Sequence, residues 1–199
     1  TSPRGFRAGA VYAGIRTYGE EPRFDVGMLV SDFPCAVAGI FTTNAVCGAP
    51  VALDRPRVAT GKGRAIVANS GNANVATGEQ GDRDAARMAE IAAETLGVPA
   101  QEVLVASTGV IGRVLPMDKL EAAIRAVAPT VDGGMQFTRA IMTTDTFPKL
   151  ATRRVRLGEA EVAEGKVADQ PHRRGRSAHS SLPGPAEAGS AADACEFRP

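Results

Sequence analysis

Tryptophan is absent, and only 5 % of the residues are aromatic. A chain this poor in flat rings offers little material for an aromatic-lined groove or a base-stacking platform. Cysteine is scarce too: Cys35, Cys47 and Cys195 are odd in number and scattered. That excludes a disulfide framework and any regular metal-ligand spacing, and it fits a reducing, cytoplasmic setting. Both histidines, His172 and His179, fall in the last stretch of the chain. The body therefore cannot assemble a Ser-His-Asp or Cys-His nucleophile, so any nucleophile there needs another activator. No apolar run approaches the ~20 residues of a membrane span. The opening residues, Thr1-Ser2-Pro3-Arg4-Gly5-Phe6, hold no long apolar core of a signal peptide. A net charge of +1 gives no general reason to expect nucleic acid or an anionic membrane as partner.

What is there is small and apolar. Ala, Gly and Val dominate 199 residues, enough for one tightly layered α/β domain with a core of its own. Glycine- and alanine-rich Phe6 to Thr17 and mixed Phe24 to Val30 read as strands. Cys35 to Thr42 reads as a further, more apolar strand. Gly48 to Leu53 reads as a weak one, with Pro50 placing it at an edge. Arg64 to Ala68 is a clear strand that runs into Asn69-Ser70-Gly71-Asn72-Ala73-Asn74. Three Asn, a Ser and a Gly suit either a turn held by side-chain bonds or a polar floor for a small ligand.

Gln80 to Leu96 carries Ala85, Met88, Ala89, Ala92, Ala93 and Leu96 at helical spacing, with acids near its start and Gly97 as its stop. Two more helices are expected, over Met117 to Val127 and over Gly134 to Met142. The polar loop Thr143 to Lys149 follows, then two strands, Ala151 to Leu157 and Ala160 to Val167, with Arg153, Arg154 and Arg156 on a solvated face. From Asp169 to Pro199 the chain turns Ser-, Ala-, Gly- and Pro-rich around a basic knot, His172 to Arg176. Such a segment buries too little to offset its ordering entropy, so the expectation is a domain over 1–168 and a disordered tail over 169–199. A solvated tail fits that knot better than a nucleic-acid contact.

The densest stretch is Val103-Leu104-Val105-Ala106-Ser107-Thr108-Gly109-Val110-Ile111-Gly112. It reads as a strand buried on both faces that enters a glycine-punctuated turn bearing two hydroxyls. Backbone N–H groups at such a turn can meet an anion or a carbonyl oxygen under attack. Glycines also simply turn chains, and both readings stand at this point.

Six stretches in order tip the balance. They are Pro3-Arg4-Gly5-Phe6; Ala38 to Asn44; Ala49-Pro50-Val51; Asn69 to Asn74 with Thr77-Gly78; Ser107 to Gly112 with Leu115-Pro116-Met117; and Thr143 to Lys149. Together they resemble the N-terminal part of the ornithine acetyltransferases, bifunctional enzymes of arginine biosynthesis in the glutamate N-acetyltransferase family. The resemblance covers Pro3 to about Ala168. It implies the layered α/β fold of that family, N-terminal half, and a precursor that cuts itself into two chains assembling as a heterotetramer. It implies a nucleophilic Thr at the start of the second chain, which can use its own amine as base and so needs no histidine or cofactor. It implies acetyl transfer from N-acetylornithine to glutamate, with acetyl-CoA used by some members. By the same resemblance Thr108 and Gly109 correspond to an oxyanion-hole pair and Thr146 to a substrate-binding residue. The departure lies at the end. Asp169 stands where the family has a Lys, and no Asn-Met-Ala-Thr cleavage sequence occurs in these residues. Either a partner chain supplies the nucleophile, or a truncated or frameshifted reading frame leaves a non-catalytic fragment. Thr1 is rejected as a substitute nucleophile.

Overall fold

The computed structural model describes residues 4–15, 23–157 and 160–167. Thr1, the basic knot and the stretch expected to be a disordered tail lie outside the described residues. Four strands form one sheet: β1 (Phe6–Val11), β2 (Val26–Ala36), β3 (Lys62–Asn72) and β4 (Val103–Val110), in that spatial order. β1, β2 and β3 pair antiparallel, whereas β3 and β4 run parallel. A parallel pair needs a crossover, and α2 (Gly78–Leu96) supplies it. The remaining helices are α1 (Ala49–Val58), α3 (Met117–Ala126) and α4 (Gly134–Ile141). A hairpin of β5 (Leu150–Leu157) and β6 (Ala160–Val167) follows.

Strand alternation divides the core into two layers. Val26, Met28, Val30, Val67, Val103 and Val105 leave one face of the sheet and pack with Met88, Ile91, Leu120 and Ile124 from α2 and α3. The opposite face carries Ala8, Leu29 and Ala68 beneath Phe137 and Ile141 of α4. That second face is lined with small residues so that α4 can sit close. A Cβ built on Gly27 would come within 2.9 Å of the Phe137 ring. The helix over Gln80 to Leu96 forms as expected, with Gly97 in the left-handed conformation at φ +66° and its N–H on the Ala93 carbonyl. Ile91 joins the anticipated stripe as a fully buried member. The expected helices after Pro116 and Gly133 and the two strands around residues 158–159 are also present.

Four local expectations need correction. Gly48 to Leu53 does not form an edge strand; it opens α1, with Pro50 in the first helical turn, where a fixed φ and a missing N–H do no harm. Cys35 to Thr42 is no separate strand: β2 continues to Ala36 across an irregularity between Val30 and Cys35, and the chain then leaves the sheet. Ile40 is exposed there, so the apolar run marks surface and not core. Asn69 to Asn72 are the last residues of β3, not a loop. β4 is an edge strand, buried at Val103 and Val105, half-buried at Leu104 and open at Ala106. A run of apolar residues cannot by itself tell an edge strand from a central one. Of the three arginines read as a solvated face, Arg156 is exposed; the side chains of Arg153 and Arg154 lie outside the described residues.

Candidate functional site at the end of the parallel strand pair

The site grows out of strand register. Ser70 pairs with Thr108 and Gly71 with Gly109. Asn69 and Ser107, one step earlier, both point to the core face. There the Asn69 amide and the Ser107 hydroxyl donate to the same Asn72 carbonyl, at 2.9 and 3.0 Å. By alternation the side chains of Ser70 and Thr108 leave the sheet on the other face, the one that carries Ala68 and α4. Thr108 is half-buried, Ser70 fully buried, and the Ser70 hydroxyl makes no hydrogen bond.

The backbone of β4 alternates as well. Val105 N–H points away from β3, toward the Asp54 carboxylate of α1, whose oxygens both lie 3.1 Å from it. Arg57, one turn along α1, donates to the Val103 carbonyl on the same outer edge. Val110 points its carbonyl the other way, to Ala73 N–H at 2.9 Å. Gly109, four residues on from Val105, therefore has its N–H on the outer edge too. It is exposed at φ +134°, a conformation that side chains seldom adopt. A Cβ at Gly109 would lie 2.3 Å from the carbonyl carbon of Gly71, so glycine is required here for packing whatever else it does.

Burial sets the electrostatics of this edge. Asp54 is pushed up to about 7 by desolvation, against the Val105 hydrogen bond and the Arg57 charge, both of which lower it. Arg57 is shifted down by the same burial, opposed by Asp54 and Glu90.

Beside the strand ends, Asn74 is a structural hub. Its N–H donates to Ser107 Oγ at 2.9 Å and its amide to the Gly81 carbonyl at 2.8 Å. Its side-chain oxygen accepts from the Thr77 hydroxyl at 2.6 Å, and its carbonyl accepts from Ala49 N–H at 3.0 Å. One residue thus ties together β4 and the start of α1 through its backbone and the start of α2 through its side chain. For Asn74 the side-chain-held turn is the reading that the contacts support.

Thr146 is exposed in the loop that follows α4, next to Asp145, which is buried and ion-paired with Lys149. No hydrogen bond among the described residues links Thr146 to Thr108 or Gly109. Sequence reasoning singled out Thr108, Gly109 and Thr146 but passed over Ser70, Asp54, Arg57 and the Asp145–Lys149 pair. The four-residue spacing of that pair was a usable signal; the isolation of the Ser70 hydroxyl appears only once the strands are paired. Among the described residues no group of three side chains is placed to hold a metal ion, and no helix is long and apolar enough to cross a membrane.

The fold defines a class: layered α/β domains in which a parallel strand pair ends in polar residues. Within that class the chain belongs to the ArgJ family, whose model matches residues 7–168. It is 53 % identical over 170 residues to the arginine biosynthesis bifunctional protein ArgJ of Symbiobacterium thermophilum, a match covering 84 % of this chain and 42 % of that protein. The corresponding protein of Dehalococcoides mccartyi is 48 % identical over 149 residues, covering 75 % of this chain and 36 % of its own length. The chain thus spans about two-fifths of the length of such relatives. Among solved structures, the ArgJ protein of Bacillus halodurans superposes with a TM-score of 0.80 at 36 % identity, covering 86 % of this chain and 90 % of that one. The ornithine acetyltransferase of Mycobacterium tuberculosis, solved with ornithine, gives 0.78 at 36 % identity, with 88 % and 93 % covered.

Proposed function

We propose that this chain is part of an acetyltransferase of arginine biosynthesis that moves an acetyl group from N-acetylornithine to glutamate, with acetyl-CoA as a second donor. The nucleophile is a Thr on a second chain, and the two chain types assemble as a heterotetramer in the cytoplasm. The Thr oxygen attacks the acetyl carbonyl, whose oxygen gains charge while the C=O bond opens. The Gly109 N–H and the Thr108 hydroxyl donate to that oxygen, so the charge develops against fixed dipoles and not against water. The amine of that Thr takes its hydroxyl proton and gives it to the leaving nitrogen, so collapse breaks the C–N bond, expels ornithine as an amine and leaves an acetyl-Thr. Attack by the amine of glutamate then repeats the sequence and frees the Thr. Thr146 contacts the amino-acid part of the substrate.

One observation carries this reading. A membership that spans residues 7–168 coincides with a half-buried threonine and an exposed glycine on consecutive residues of an edge strand. The test is to produce the chain together with the remaining part of the S. thermophilum relative and to follow acetyl transfer from N-acetylornithine to glutamate. Transfer is the expected result. An assembled complex that moves no acetyl group overturns the reading. It would favour a second one, in which the chain only binds a partner through exposed apolar residues such as Phe33, Ile40, Ile111 and Val114.

A further inference from the structure

We propose that Ser70 is a positioning residue that acts through Thr108, its hydroxyl kept free for a hydrogen bond made only when a carbonyl is under attack. This rests on the acyl-transfer reading above and adds a residue to it. Buried polar side chains are nearly always hydrogen-bonded, so each exception asks for an explanation. Four buried side-chain atoms among the described residues lack a partner: Asn69 Oδ1, Ser70 Oγ, Asp84 Oδ2 and Asp145 Oδ2. Three of these belong to groups that are engaged through another atom. The Asn69 amide donates to Asn72, Asp84 accepts from Gln80 at 2.7 Å, and Asp145 holds Lys149. Ser70 has no other polar side-chain atom, so its whole side-chain hydrogen-bonding capacity is idle.

It is idle in a telling place. Ser70 is the register partner of Thr108 and shares its face of the sheet. Among the described residues the Thr108 hydroxyl is unbonded as well. When Thr108 turns to donate its proton to the developing oxyanion, its own oxygen keeps a lone pair free to accept, on the face it shares with buried Ser70. Ser70 O–H is the neighbouring donor. A bond from Ser70 to Thr108 Oγ1 polarises the Thr108 O–H and strengthens its donation, as linked hydrogen bonds do in a low dielectric. Because the bond is absent in the resting chain, it acts on the transition state and not on substrate binding. An unpaired buried hydroxyl also destabilises the fold, so removing it should not weaken the protein.

Ser70→Ala tests this in the chain assembled with the second part of its relative, with the unaltered complex run beside it. The expected result is a loss of about tenfold or more in kcat with KM nearly unchanged, and a melting temperature equal to or above that of the unaltered protein. In a Thr108→Val background, Ser70→Ala should cost nothing further. Unchanged kcat, full additivity with Thr108→Val, or a lowered melting temperature each overturns the assignment; the last shows a structural hydroxyl and needs no turnover to be read. If the unaltered complex itself transfers no acetyl group, the acyl-transfer reading falls, and Ser70 with it. If it is active while Ser70→Ala matches it, only the Ser70 assignment falls.

Discussion

The two halves of β4 do opposite things. Val103 and Val105 are buried, their outer edge is closed by Arg57 and Asp54 from α1, and their side chains pack on α2 and α3. From the next residue on the same strand is more open: Ala106 and Gly109 are exposed, Thr108 is half-buried, and the adjacent Ser70 hydroxyl is unbonded. Asp54 and Arg57 satisfy an edge that would otherwise invite another strand. The C-terminal half keeps its edge groups available. On the proposed function, a fold that anchors one end of a strand and leaves the other end underbonded separates stability from function along a few residues. That division can be broken from either side.

The largest effect should come from Gly109→Val, which breaks the division itself. A side chain there meets the Gly71 backbone and forces a β-branched residue to φ +134°. Overpacking and backbone strain together should cost roughly 3–5 kcal/mol. Urea unfolding should show it, and any loss of turnover in that variant reports on the fold as well as on the oxyanion. Met88→Ala probes the anchored side alone. Met88 is fully buried between the sheet and its helices, so about 2–5 kcal/mol of stability should go. Activity per folded molecule should hold. Thr108→Val is the mirror image. It removes one donor with nearly the same volume, and kcat should fall about 10²–10³-fold while unfolding midpoints barely move. A Met88 variant that lost turnover, or a Thr108 variant that lost stability instead, would show that the two halves are not independent.

Periodic elements were legible in the sequence because their pattern repeats. Ala85, Met88, Ala89 and Ala92 announce α2, and Leu120 and Ile124 announce α3, over several turns. Short apolar runs were not, since Gly48 to Leu53 and Cys35 to Thr42 carry too few residues for a period to show. Their fate was decided by tertiary partners such as Val105 and Val103 for α1. The candidate site was only partly legible. Thr108 and Gly109 stand out as hydroxyl and glycine at a strand end, but Ser70 gains meaning only through its register with Thr108, thirty-eight residues away. Asp54 and Arg57 lie just beyond the expected strand Gly48 to Leu53 and were passed over, because their partners Val105 and Val103 are distant in sequence.

The last change, Asp54→Asn, has an effect whose size depends on pH and tests how the anchored half is held. Desolvation raises the Asp54 carboxyl from 3.8 to about 7, the Val105 hydrogen bond and Arg57 notwithstanding. The folded chain therefore binds a proton more tightly here than the unfolded chain does. Such a group contributes its full stability below about pH 4 and loses it as pH rises toward and through 7. Asn keeps an acceptor for Val105 N–H but cannot titrate. The difference in unfolding free energy between the Asn variant and the unaltered protein should therefore drift in favour of Asn from pH 4 to 7 and level off above. Carboxylates common to both cancel in that difference, which makes chemical denaturation at a series of pH values the right measurement. A flat difference would mean that Asp54 is ionised throughout, and that Arg57 and Val105 hold this edge of the sheet through a charge and not through a shared proton.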